Sequence, residues 1–96
     1  MATPSDTGLR FGIHTIQTWT WPELRDRWVW FEQLGFDSLW LPDHFFPTAG
    51  RDKPMFEAWT LLAALATQTR RARIGVLVSS NTFRYPALLA KLADEI

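Results

Sequence analysis

Apolar and polar positions alternate near the start of the chain, where Phe11 and Ile13 are set against Arg10 and Gly12. That period of two predicts a short strand over residues 9–13. The period then lengthens. Leu24, Trp28, Phe31 and Leu34 recur at helical spacing, with Arg25, Asp26, Glu32 and Gln33 mostly on the other side, so an amphipathic helix is expected to run to Leu34. Thr20-Trp21-Pro22-Glu23 marks its start: the Thr20 side chain can accept from the Glu23 amide, the Glu23 carboxylate can reach back, and Pro22 suits a first turn. Gly35 stands just past its end, where helices often need a left-handed residue.

Residues 36–41 are short and apolar-rich and are stopped by Pro42, which predicts a second strand. A loop follows over 42–53, then a second helix over about 54–71. Met55, Trp59, Leu62 and Ala66 form one stripe of that helix, and Ala58, Leu61, Ala63, Ala64 and Leu65 make its middle apolar nearly all round. Cover on more than one side is the expectation for such a helix. Residues 74–78 are continuously apolar, as in a strand buried on both faces of a parallel sheet. A polar loop over 79–85 leads to Pro86, which opens a third helix with Leu89, Leu92 and Ile96 on one face.

Strand and helix thus alternate three times with short connections, the order of a parallel α/β sheet with right-handed crossovers. Two architectures share it, a doubly wound sheet and a closed (β/α)₈ barrel. A whole barrel needs about 250 residues, so roughly three of its units fit here. Pattern leaves the two open. Residues 1–8 are polar and read as a flexible leader before one domain over 9–96.

Composition narrows the functions more than the fold. The chain of 96 residues is 47% hydrophobic and 21% charged, a globular balance. Ten basic and ten acidic side chains cancel, so no overall field draws it to nucleic acid or an anionic membrane. The basic cluster Arg70, Arg71 and Arg73 suits a helix C-terminus at least as well as a phosphate site. Cysteine is absent, which excludes disulfides and thiolate metal sites, and no metal site is expected. The start lacks the features of a signal peptide, and no apolar run approaches the ~20 residues of a membrane helix. A cytoplasmic location is the default. Six Trp and seven Phe imply aromatic surface buried in a core, an interface or against a flat ligand.

In either architecture a ligand sits at the C-terminal ends of the strands, which selects three segments. His14, at the first strand exit, is read as a histidine bonded to loop backbone ahead of a ligand contact. Asp43-His44 follows the second strand; histidine titrates near neutrality and can move a proton at a substrate hydroxyl, with Asp43 orienting it or bonding a cofactor ring. A turn-capping Asp beside an exposed His fits the same residues equally. Ser79-Ser80-Asn81-Thr82-Phe83-Arg84-Tyr85-Pro86 offers small polar groups and a cation before a helix, an anion site or a helix start capped by Asn81 or Thr82. A dinucleotide fold would want glycines in the turn after the first strand, and residues 14–20 have none.

Phe36-Asp37-Ser38-Leu39-Trp40-Leu41-Pro42-Asp43-His44-Phe45 resembles the second-strand segment of the luciferase-like monooxygenase superfamily, in particular the branch that uses the deazaflavin coenzyme F420. The stretch from Arg73 to Lys91, including Val78-Ser79-Ser80-Asn81-Thr82-Phe83-Arg84-Tyr85-Pro86, resembles that family's third strand and third helix. The two lie in the family's order and spacing, and similarity runs over about residues 10–96.

The resemblance implies the N-terminal three units of an incomplete TIM barrel, with F420 ahead of FMN as cofactor. It implies His44 as the catalytic, proton-transferring residue and places Asp43, Val78, Ser79, Ser80 and Asn81 against the cofactor ring. A non-proline cis peptide is expected between Leu77 and Ser79. Family chemistry is hydride transfer with the deazaflavin, or monooxygenation with reduced FMN, on a small organic substrate. Family members continue from the third helix into a fourth strand, whereas the sequence stops at Ile96. The expectation is therefore a family fragment that is inactive alone; the alternative is a non-catalytic assembly piece that self-associates through an open sheet edge.

Overall fold

A computed structural model describes residues 8–48 and 50–96; the expected leader lies outside the described residues except for Gly8. The elements are β1 (Gly12–His14), α1 (Trp21–Gln33), β2 (Ser38–Leu41), α2 (Ala58–Ala66), β3 (Arg73–Val76) and α3 (Pro86–Glu95). All six expected elements are present, in the expected order.

Helix α1 is delimited by its own sequence at both ends. Thr20 Oγ1 accepts from the Glu23 amide at 3.4 Å and the Glu23 carboxylate accepts from the Thr20 amide at 2.9 Å, a complete capping box. At the other end Gly35 takes a φ of 99°. Its amide donates to the Glu32 carbonyl at 3.0 Å, and the Phe36 amide donates to the Phe31 carbonyl at 3.4 Å. These two bonds are those of a Schellman motif, and the usual apolar contact accompanies them: the Phe31 and Phe36 rings meet edge to face at 6.0 Å.

The strands form one parallel sheet in the order β1-β2-β3. Ile13, Leu39 and Ile74 are paired in register, as are Gly12, Ser38 and Arg73 on one flank and His14, Trp40 and Gly75 on the other. Aligned residues of parallel strands share a face. One face therefore carries Ile13, Leu39, Leu41, Ile74 and Val76, and it is the core. There Leu39 and Leu41 pack with Leu24, Trp28 and Phe31 of α1 and Leu61, Leu62 and Leu65 of α2. Both crossover helices thus cover the same face, whereas a doubly wound sheet carries helices on both. The opposite face, bearing Gly12, His14, Ser38, Trp40, Arg73 and Gly75, has no helix from α1 or α2 upon it. The Trp40 indole lies along it and donates to Ser38 Oγ at 2.8 Å.

Several boundaries differ from the sequence expectation. Helix α2 starts at Ala58 instead of about 54, because the Glu57 carboxylate accepts from the Trp59 and Thr60 amides and serves as its N-cap. It ends at Ala66 instead of about 71, because the amides of Arg70, Arg71 and Ala72 donate to the Glu32 carboxylate at distances of 2.8–3.2 Å. Amides turned to α1 cannot continue a helix. The Arg71 guanidinium donates to the carbonyls of Glu32 and Phe36, so the basic cluster does meet a helix C-terminus, that of α1. Helix α2 is covered on one side only: Ala58, Leu61, Leu62 and Leu65 are buried while Ala63 is exposed. Alanines made it look apolar all round, but they present little surface to cover. Leu34 is also exposed, at the cap position beyond the α1 stripe.

Strand β1 begins at Gly12 because the Phe11 amide is taken by the Asp37 carboxylate at 2.8 Å. Strand β3 spans Arg73–Val76, short of residue 78. Helix α3 is capped by Tyr85, with no side-chain cap bond, so neither Asn81 nor Thr82 starts it. Pro86 holds the residue before it extended, and Tyr85 accordingly has φ −62° and ψ 131°. No helix among the described residues is long and apolar enough to cross a membrane.

Candidate functional site

The three strand exits selected by the sequence converge. His14 Nε2 donates to the Leu77 carbonyl at 2.8 Å, linking the ends of β1 and β3 across β2. A carbonyl only accepts, so this contact requires the proton on Nε2. His14 is thus bonded to backbone, the reading the sequence favoured. The peptide bond between Leu77 and Val78 is cis, inside the interval expected. Its two residues, Leu77 and Val78, stand 47% and 73% exposed and form an apolar ledge.

Asp43 and His44 are neighbours with opposite surroundings. His44 is exposed, whereas Asp43 is buried. Asp43 Oδ2 accepts from the Ser80 amide at 2.7 Å and from Arg84 Nη1 at 2.7 Å, and Oδ1 accepts from Arg84 Nη2 at 2.8 Å. The Arg84 guanidinium holds the Asp43 carboxyl below its ordinary value against the effect of burial, with the Ser80 amide adding to it. Arg84 also donates to Glu57 Oε2, the carboxylate that caps α2. Its own pKa is raised, first by Asp43 against desolvation and then by Glu57. Arg84 therefore does not lend its charge to an anion site: two carboxylates already neutralise it.

The loop after β3 is fixed from two further directions. Trp59 Nε1 of α2 donates to Ser79 Oγ at 3.1 Å, and Phe83 stacks on Phe45 with centroids 3.8 Å apart and planes 11° apart. Ser80 Oγ and Thr82 Oγ1 lie 3.3 Å apart. Asn81 is exposed in the same turn.

A cleft of about 290 Å³ opens between the loops that follow β1 and β2, walled by His14, Gln17, Thr18, Pro42, His44 and Lys53 among others. Gln17 is 1% exposed, and its Nε2 donates to the Phe56 carbonyl at 3.0 Å. Its Oε1 is buried with no hydrogen-bond partner, an arrangement folded proteins rarely keep without cause. No group of three or more His, Asp or Glu side chains among the described residues is placed to hold a metal ion.

The structure thus brings Asp43, Ser80 and Arg84 into one largely buried cluster, while His44 and Val78 are exposed. Sequence reasoning did not name Glu57, and gave neither Gln17, in the first strand-exit loop, nor Trp59, on the α2 stripe, a partner at the site. Glu57 gave little signal because glutamate is a weak N-cap type. Gln17 and Trp59 act through partners 39 and 20 positions away, which local pattern does not reveal.

The family described as luciferase-like monooxygenase matches residues 7–94. The chain is 44% identical over 70 residues to an F420-dependent glucose-6-phosphate dehydrogenase of Intrasporangium calvum, covering 72% of this chain and 21% of the relative. It is 40% identical over 88 residues to a protein of the same name from Microbacterium testaceum, covering 88% of this chain and 26% of the relative. A third, from Amycolatopsis mediterranei, is 43% identical over 63 residues, covering 62% and 18%. The chain spans about a fifth to a quarter of the length of these curated relatives. With a family match over nearly its whole length, the chain belongs to the luciferase-like monooxygenase family.

Proposed function

We propose that this chain forms the first three units of a (β/α)₈ barrel and supplies the ring-facing part of an F420 site in an oxidoreductase. The placement of both crossover helices on one face of a sheet ordered β1-β2-β3 supports the barrel over an open sheet. The names of the relatives support F420 over FMN. The observation that carries the reading is the exposed His44, which lines one cleft with His14, itself bonded to the Leu77 carbonyl, at the end of the sheet where such folds bind ligands.

These residues fit a deazaflavin. Leu77 and Val78 offer a flat ring an apolar bed, and the partnerless Gln17 Oε1 in the cleft wall offers an acceptor. When bound, the cofactor supplies hydride transfer. The protein's part is positioning and proton handling. His44 gives or takes the substrate proton at a ring nitrogen; Val78, Ser79, Ser80 and Asn81 border the ring. Asp43 belongs to the set through the Ser80 amide it holds. The substrate is a small organic molecule, the setting cytoplasmic, and nucleic acid has no role.

Turnover belongs to a closed barrel, and none is expected of these 96 residues alone. The outer edges of β1 and β3 carry no strand among the described residues, which supports a second reading, self-association by edge pairing. Titrating the chain with F420 and with FMN while following cofactor fluorescence separates the two. Saturable F420 binding that is tighter than FMN binding is expected. Absence of binding, with concentration-dependent assembly, would leave the edge-pairing reading in its place.

A further inference from the structure

We propose that Arg84 is the positioning residue of the strand-end cleft: by bridging Asp43 and Glu57 it fixes the His44 loop and the Val78–Asn81 loop as one rim. The inference rests on the functional reading above for its consequence, but not for its geometry.

Three segments distant in sequence meet at this one side chain. Asp43 lies in the loop after β2, Glu57 at the start of α2, and Arg84 in the loop after β3. The Asp43 and Arg84 side chains are only 2% and 10% exposed, so the pair is shielded from solvent. Both guanidinium Nη atoms are engaged: Nη1 with Asp43, and Nη2 with Asp43 and Glu57. That fork can satisfy two carboxylates with defined directions, which a lysine ammonium cannot reproduce.

The consequence for the cleft follows from what the carboxylates hold in turn. Asp43 precedes His44 directly, so fixing its carboxylate fixes the backbone from which the imidazole projects. The same carboxylate receives the Ser80 amide, which anchors the segment bearing Val78. Glu57 receives the Thr60 amide at 2.7 Å and so joins the rim to a helix packed in the core. The Phe45–Phe83 stack closes the two loops on their outer side. Arg84 is not placed to touch a ligand in the cleft of His44; it acts through Asp43.

The chain has two histidines, and His14 is held by a separate contact to Leu77, so imidazole NMR signals contain their own control. In Arg84→Met, the His44 signals should shift and the Ser80 amide should exchange at least about tenfold faster. The His14 signals and the amides of Leu24 and Leu39 should stay as in wild type. Arg84→Lys should behave like Arg84→Met, because it restores charge without the fork. Unchanged His44 and Ser80 signals in Arg84→Met, wild-type behaviour of Arg84→Lys, or equal loss at Leu24 and Leu39 in both variants would each overturn the proposal. F420 affinity should fall about tenfold in Arg84→Met. If the wild-type chain takes up no F420, the functional reading fails while the NMR measurement still decides the role of Arg84.

Discussion

Trp40 occupies the space a side chain on Gly75 would need: a Cβ built at Gly75 would lie 2.7 Å from Cζ3 of the indole. Gly12, on the other neighbouring strand, is crowded from the opposite end of the ring, with Nε1 2.9 Å from its would-be Cβ and Ser38 Oγ at 2.5 Å. The indole therefore lies across the open face of the sheet in a slot made by two glycines. Gly75→Ala should destabilise the fold by about 1–3 kcal/mol through overpacking, read as a lower urea midpoint. Pairing it with Trp40→Leu should recover most of the loss, and a double variant no better than Gly75→Ala would show that the indole is not the obstruction.

Glu32 carries a comparable burden at the other end of the sheet. Its carboxylate accepts three consecutive amides from the approach to β3 and is 6% exposed. Removing it leaves three half-buried donors without their carboxylate. Glu32→Ala should cost about 2–4 kcal/mol, whereas Glu32→Gln, whose amide oxygen still accepts, should cost less. Thermal unfolding of the two variants checks the order.

Acid should find both carboxylates. Asp43 is held below its ordinary value of 3.8, by Arg84 first. Glu32 is held below 4.5: burial alone would raise it, but the amides of Ala72, Arg71 and Arg70 outweigh burial. A carboxylate depressed in the folded state adds stability above its unfolded pKa and loses it as pH falls through the folded one. Stability should thus be flat above about pH 5 and fall below about pH 4. In Asp43→Asn and Glu32→Gln the fall should be shallower, as followed by urea midpoints across that range. Glu57 is also lowered, with desolvation outweighed by Thr60 and Arg84, but its side chain is 40% exposed and solvent screening makes its share small.

The ends of α1 offer the simplest check on local physics. Thr20→Ala removes the cap on Glu23 and should cost about 1 kcal/mol. Gly35→Ala forces a Cβ into φ 99° and should cost about 1–2 kcal/mol. Urea denaturation at neutral pH measures both.

Those ends were legible because the bonds are local: Thr20, Glu23 and Gly35 act within a few residues, and their types announce the geometry. The ends of α2 were not. Residues 67–71 continue the helical pattern, and it is the Glu32 carboxylate, 38–40 positions away, that takes the amides of residues 70–72. At the site the pattern selected three segments that converge in the structure, since strand exits follow from strand order. It did not show that Asp43 and Arg84 neutralise each other, because that pairing depends on how two loops converge in space. The start of α3 at Pro86 was legible because its signal is local, as in α1, whereas a cap at Asn81 or Thr82 was not realised: they have the chemistry of caps, but Pro86 makes Tyr85 the cap.

The place where a deazaflavin meets this chain can be read directly. The direct measurement is a titration of F420 into isotopically labelled protein, followed residue by residue through backbone amide and imidazole NMR signals. Progressive, saturable shifts at His44, Val78, Ser79, Ser80 and Asn81, with Arg10, Asp37 and Arg73 at the opposite strand ends unmoved, are the predicted result. Shifts confined to the Arg10 and Arg73 end, or none at any F420 concentration, would contradict it.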